Sequence, residues 1–121
     1  LTNGASFFSR ADPDYDGGIT GCQKLVTSSE GLGVDCEIHA CGPAMRQLMG
    51  ASRNSNFYEV NLVHPKCKNP WSLPVYKDKY NDELNCIDKN GNVKVSNDPG
   101  LGVKYDWDYI EKNKIHKFII K

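Results

Sequence analysis

The chain has 121 residues, room for one modest domain, and its 15 basic residues balance 15 acidic ones. Zero net charge argues against a nucleic-acid partner, which calls for a basic patch or stripe, and no apolar run approaches the roughly 18–20 residues of a membrane span. Five cysteines, at 22, 36, 41, 67 and 86, are an odd number that suits reduced thiols in a cytoplasmic protein better than a disulfide framework.

The first residue is Leu1, not Met, and the chain runs straight into an element, so it is expected to be a piece of a longer protein, with no signal or transit segment in view. "ASFFSRA" at 5–11 reads as a short strand, and "DPDYDGG" at 12–18 is dense in turn formers. Ile19, Cys22, Leu25, Val26 and Ser29 then recur at helical spacing. Gly31 and Gly33 close that helix, as glycine does at helix C-termini. "VDCEI" at 34–38 alternates with period two, as a half-buried strand does. "PAMRQLMGASR" from 43 is a second helix, with Pro43 suited to the first turn, and "FYEV" at 57–60 is a third strand. Strand–helix alternation of this kind implies parallel strands joined by crossovers.

Beyond Val60 the character changes. "NLVHPKCKNPWSLPVY" carries three prolines and reads as a long irregular connection. "ELNCIDKNGNVKV" is a hairpin signal with Asn90–Gly91 at its turn, and "DPGLGV" is a further turn. "YDWDYIEKN" makes one or two helical turns with Asp106 as N-cap, and "KIHKFIIK" reads as a terminal strand. The chain therefore divides into residues 1–60, alternating strands and helices, and residues 61–121, a tail with a hairpin.

Parallel α/β folds carry their chemistry at the carboxyl ends of strands. Asp12, His39 and Glu59 stand at or within one residue of such ends. A histidine whose second ring nitrogen meets a carboxylate has its tautomer fixed. With Asp12 in that role, His39 becomes a general base or acid. Glu59, one strand further on, can hydrogen-bond an oxygen where charge develops, or donate a proton to it. Each residue alone has an ordinary explanation, as a surface histidine, a turn aspartate or a solvated rim charge. The joint placement is what points to proton transfer. Strand parity adds an expectation: Arg10 shares a face with Asp12, and Glu37 with His39. The two charges should pair across adjacent strands, because an unpaired buried charge is costly.

"DPDYDGGITG", "VDCEIHACGP" and "NFYEVNLV", with "DPGLGVKYD" near the end, together resemble the carboxyl-terminal part of the enolase superfamily, mandelate racemase/muconate lactonizing enzyme subgroup. The spacing from Asp12 to His39 to Glu59 agrees with the subgroup's pattern without a gap, and the likeness spans about residues 5 to 110. It implies the last three strands of a (β/α) TIM-type barrel, an architecture that needs about 250 residues in full. It implies His39 as the catalytic histidine, Asp12 as its carboxylate partner and Glu59 as the acid that stabilises an enolate-like intermediate. Such enzymes remove the proton beside the carboxylate of a small sugar or hydroxy acid, as dehydratases, epimerases, racemases or cycloisomerases. They use a divalent metal, usually Mg2+, to stabilise the resulting charge. The sugar-acid dehydratases and the anhydro-galactonate cycloisomerases look most similar. The family's metal ligands and second catalytic base belong to earlier strands, so neither is expected within this chain, which would be inactive alone and oligomeric only as part of the full-length protein.

Two other readings stay open on the residues. Cys36, His39, Cys41, His64 and Cys67 are of zinc-ligating types, although Cys36 and His39 fall on opposite faces of one strand and no Cys-x-x-Cys knuckle is present. Trp71, Trp107 and the tyrosines at 58, 76, 80, 105 and 109 could stack on sugars in a small carbohydrate-binding module, or simply pack.

Overall fold

A computed structural model describes residues 3–4, 6–60, 64, 66–67 and 73–119. The fold is α/β. Strand β1 (Phe8–Ala11), helix α1 (Gly18–Gly31), strand β2 (Asp35–Ile38) and helix α2 (Pro43–Ala51) follow one another, and a short helix α3 (Trp107–Asn113) lies near the carboxyl end. The two strands pair in parallel, with Phe8 opposite Asp35 and Ala11 opposite Ile38. The His39 amide extends the ladder by one bond, donating to the Ala11 carbonyl at 2.8 Å.

The side-chain patterns explain why these segments adopt these forms. Helix α1 buries Cys22, Val26 and Ser29, the one-sided spacing of an amphipathic helix. It opens from Gly17 and Gly18, whose φ angles of 78° and 68° few side-chain-bearing residues tolerate. Its C-terminus closes in a Schellman motif around Gly33: the Val34 amide donates to Ser29 O at 2.9 Å and the Gly33 amide to Glu30 O at 3.0 Å. Helix α2 starts at Pro43 and buries Met45 and Leu48, because proline at the first helical position gives up an amide that would have lacked a partner anyway.

Both helices cover one face of the sheet. Ala11, Cys22, Val26, Cys36, Ile38, Met45 and Leu48 form a single cluster, and each large apolar side chain fully buried in such a cluster is worth about 1.5–3 kcal/mol. The hydroxyl of Ser29 on α1 meets that of Ser9 on β1 at 2.6 Å, so the one polar residue on the buried stripe is satisfied. Arg10 and Glu37 stand opposite one another in the register and project from the other face, the face on which Asp12 and His39 emerge.

Four expectations are corrected. Residues 57–60 are not a strand. The Asn56 and Phe57 amides, which a ladder would direct to β2 carbonyls, donate instead to the Glu37 carboxylate at 3.1 Å, so among the described residues the sheet has two strands rather than three. Arg10 and Glu37 do not pair for the same reason: Glu37 is occupied by those amides, and Arg10 pairs with Glu59. The hairpin at 83–95 shrinks to one antiparallel bridge, Ile87 to Val93, because Leu84–Cys86 coil into a 3-10 turn. Residues 114–119 form no strand; Ile115, Phe118 and Ile119 are exposed and pair with no strand among the described residues. Asp106 caps α3 as expected, accepting from the Tyr109 amide at 3.0 Å. Most of the proline-rich connection, at 61–63, 65 and 68–72, lies outside the described residues.

The tail is fastened to α2 through a polar cluster. Arg46 pairs with Asp82 and donates to the Asn81 carbonyl at 2.8 Å, and its guanidinium lies 4.5 Å from the Tyr80 ring centre. Tyr76 and Tyr105 bridge the two ends of the tail.

Asn54 ties the loop after α2 to the core. It is buried, its side-chain amide donates to the Val26 and Val34 carbonyls at 3.2 and 3.1 Å, and its own carbonyl accepts from the Cys36 amide at 2.7 Å. Asn54→Ala removes the side-chain donor to the Val26 and Val34 carbonyls. It is predicted to destabilise the fold by about 1–3 kcal/mol, seen as a lower urea midpoint with an unchanged slope.

Candidate active site

The parallel pairing sets the site. Asp12 and His39 are the first residues beyond β1 and β2, so the register that places Ala11 beside Ile38 also brings the next two residues side by side. His39 Nδ1 lies 2.6 Å from Asp12 Oδ2. Asp12 is held in turn by its own loop: its Oδ1 accepts from the Asp14 amide at 2.8 Å, and its amide donates to Asp16 Oδ2 at 2.8 Å. Gly21 permits that loop to close on α1, since a Cβ there would fall 1.8 Å from the Asp16 carbonyl oxygen.

Asp12 is 8% exposed. Burial pushes its carboxyl up, but the hydrogen bonds from His39 and the Asp14 amide, with the positive charges of His39 and Arg10, outweigh it and leave the pKa below the ordinary aspartate value. Asp12 is therefore the anion of the pair at neutral pH. The contact turns Nδ1 of the His39 ring to the carboxylate and leaves Nε2 on the other side of the ring.

Glu59 reaches the same place from the extended segment that follows α2. Its Oε2 accepts from the Ala40 amide at 2.6 Å, its Oε1 pairs with Arg10, and Oε2 stands 3.9 Å from His39 Nε2, beyond hydrogen-bond reach. The three residues picked out in the sequence thus converge on one open cleft, lined by Asp12, Tyr15, His39, Cys41 and Glu59. The His39 side chain keeps 46% of its surface exposed there, so Nε2 is available to a ligand that Asp12 does not touch.

Two participants were not visible in the sequence. Ala40 adopts a left-handed φ of 66°, uncommon for a residue with a side chain and a mark of strained functional loops; that twist aims its amide at Glu59. Alanine carries no signature of such a conformation. Arg10 shows its face through strand parity, but its partner is Glu59 and not Glu37. Both Arg10 and Glu59 are substantially exposed, so this pair adds little stability.

The other candidate constellations do not assemble. Cys36 is fully buried in the core, and among the described residues no group of three His, Cys, Asp or Glu side chains could hold a metal ion. Neither zinc nor Mg2+ therefore has a fitting ligand set there. None of the described cysteines forms a disulfide, and no helix among the described residues is long and apolar enough to cross a membrane. Tyr76, Tyr80, Tyr105 and Trp107 pack against one another, Tyr58 lies against Arg46, and Trp71 is outside the described residues.

The sign of the Asp12 shift gives a pH dependence. Its folded pKa lies below the ordinary 3.8, so its stabilising contribution is complete above the unfolded value and is lost as pH falls through the folded one. Asp12→Asn is expected to lower stability at neutral pH and to flatten the acid limb below about pH 3.8. Urea midpoints of both proteins across that range check it; parallel acid limbs would contradict the assignment.

The family described as enolase C-terminal domain-like matches residues 1–109, which takes in the cleft and most of the tail. No curated protein and no solved structure shows significant similarity to the chain.

Proposed function

The chain belongs to the enolase superfamily by its C-terminal-domain-like sequence, and from that premise we propose that it carries the His–Asp half of a proton-transfer site acting on a small sugar or hydroxy acid. Members of this superfamily are generally enzymes. The observation that supports the reading most is the 2.6 Å contact between His39 Nδ1 and Asp12 Oδ2, which leaves Nε2 in an open cleft beside Glu59.

The chemistry follows from those atoms. Neutral His39, with its proton on Nδ1 and directed to Asp12, presents the Nε2 lone pair to the carbon next to the substrate carboxylate. Nε2 takes that hydrogen as a proton. The C–H electron pair moves toward the carboxylate, whose oxygens gain negative charge. The Asp12 anion stabilises the imidazolium as it forms, and an imidazolium so placed can return the proton or deliver it to a leaving group. Glu59 faces the same space as a hydrogen-bond partner for oxygen on the substrate or intermediate. Both of its oxygens accept in this structure, so a donor role requires one to be released from Arg10 or Ala40. The exposed Arg10 pair is the weaker tether.

The finer reading is a lyase or isomerase of the mandelate racemase/muconate lactonizing enzyme subgroup: a dehydratase, epimerase, racemase or cycloisomerase built on a TIM-type barrel. Residues 1–60 contribute part of that barrel, and residues 61–121 form its tail. Superfamily enzymes typically use Mg2+. The family resemblance assigns its ligands and the second base to earlier strands of a longer protein, which we take to be cytoplasmic and oligomeric.

His39→Asn in the complete protein is expected to lower exchange of the substrate α-proton for solvent deuterium by about 10²–10⁴-fold, the usual share of a general base. NMR of recovered sugar acid reads the exchange. Undiminished exchange would show that another group is the base. Glu59→Gln is expected to lower turnover while leaving the His39–Asp12 contact unchanged in the histidine ring NMR signals.

A further inference from the structure

Tyr58 precedes Glu59, and Gly42 lies three residues after His39. The two are joined by a hydroxyl that belongs to no step of the chemistry above. The Gly42 amide donates to Tyr58 Oη at 3.1 Å, and Tyr58 Oη donates to Asp82 Oδ1 at 2.5 Å. Asp82, in the tail, also accepts from Tyr80 Oη at 3.0 Å and pairs with Arg46 of α2. The Asp82 and Arg46 side chains keep only 9% and 12% of their surface exposed. Burial, and then the hydrogen bond to Asp82, push the Tyr58 pKa up to about 12, so the phenol keeps its proton at neutral pH and can make both contacts at once. The loop after β2 and the segment bearing Glu59 are thus stapled twice in parallel, by Tyr58 to Gly42 and by Glu59 Oε2 to the Ala40 amide at 2.6 Å.

The geometry points to Tyr58 and Asp82 as positioning residues: the tail, acting through the Asp82 carboxylate and the Tyr58 hydroxyl, holds Glu59 in register with His39. The inference rests on the proton-transfer reading for its functional meaning, but its test reads positions alone. A surface tether could not do this work, because exposed ion pairs are weak. A buried carboxylate gathering two phenols and a guanidinium is a stiff anchor, and a costly one to break. The other restraint on Glu59, Arg10, is exposed and leaves the positioning to the buried side.

Tyr58→Phe keeps the ring and removes the staple. Hydrogen exchange is measured at the Ala40 amide, which donates to Glu59, and at the Cys36 amide, which donates to Asn54 in the core at 2.7 Å and serves as the reference. Loss of one charge-assisted bond predicts about a tenfold fall in Ala40 protection, with Cys36 unchanged. Asp82→Asn is expected to move Ala40 the same way; should it fail to fold, Tyr58→Phe alone decides. Unchanged Ala40 protection, or an equal fall at both amides, overturns the proposal, the latter because it marks a merely structural residue. These outcomes are independent of α-proton exchange, which tests the reaction separately.

Discussion

The candidate site depends on one short contact, the hydrogen bond between His39 and Asp12, and that contact depends on a parallel register. In an antiparallel pair the carboxyl ends of neighbouring strands point in opposite directions, and residues one beyond each end are a strand length apart. In the parallel pair of β1 and β2 they are neighbours. The same core that fixes the register, with Cys36 and Ile38 against the helices, sends the alternate residues to the opposite face. Packing on one side of the sheet thereby determines chemistry on the other.

The electrostatics are consistent with that arrangement. Asp12 is buried enough for its desolvation to be costly, yet it stays ionised because a ring nitrogen and a backbone amide answer its oxygens. In the proposed reaction a carboxylate so held does not compete for the substrate's proton. It fixes which imidazole nitrogen is available. Glu59 has a different character, with a half-exposed side chain and an attachment through an amide of strained conformation and an exposed arginine. A group tethered this way can shift toward a ligand more readily than Asp12 can, and the Tyr58–Asp82 anchor limits how far.

Much of this was legible in the sequence, for identifiable reasons. The helical spacing of Cys22, Val26 and Ser29, the alternation in "VDCEI" and the glycine punctuation at 31–33 are local signals, and the elements appear where these signals place them. Asp12 and His39 follow from strand ends. The failures are those of non-local partnership. Nothing in "FYEV" reveals that the Glu37 carboxylate claims the amides at 56 and 57, so a strand was expected where an extended, unladdered segment lies. Strand parity gave the correct face for Arg10 and Glu37 but not their partners, because both are answered by residues 56–59, a segment 49 residues on from Arg10 and 19–20 residues on from Glu37. The irregular connection read at 61–76 stops short of Asp82, and that aspartate enters a buried cluster with Arg46 and Tyr58, a grouping no spacing rule connects.

The central claim is that Asp12 selects the Nδ1-protonated tautomer of His39 and leaves Nε2 as the bare nitrogen facing the cleft. The most direct measurement is a long-range 1H–15N NMR spectrum of the histidine ring at a pH where the imidazole is neutral. The account predicts a protonated Nδ1 and an unprotonated Nε2 for His39, with the distinction lost in Asp12→Asn. A His39 ring protonated on Nε2, or one averaging equally between tautomers in the native protein, would contradict it.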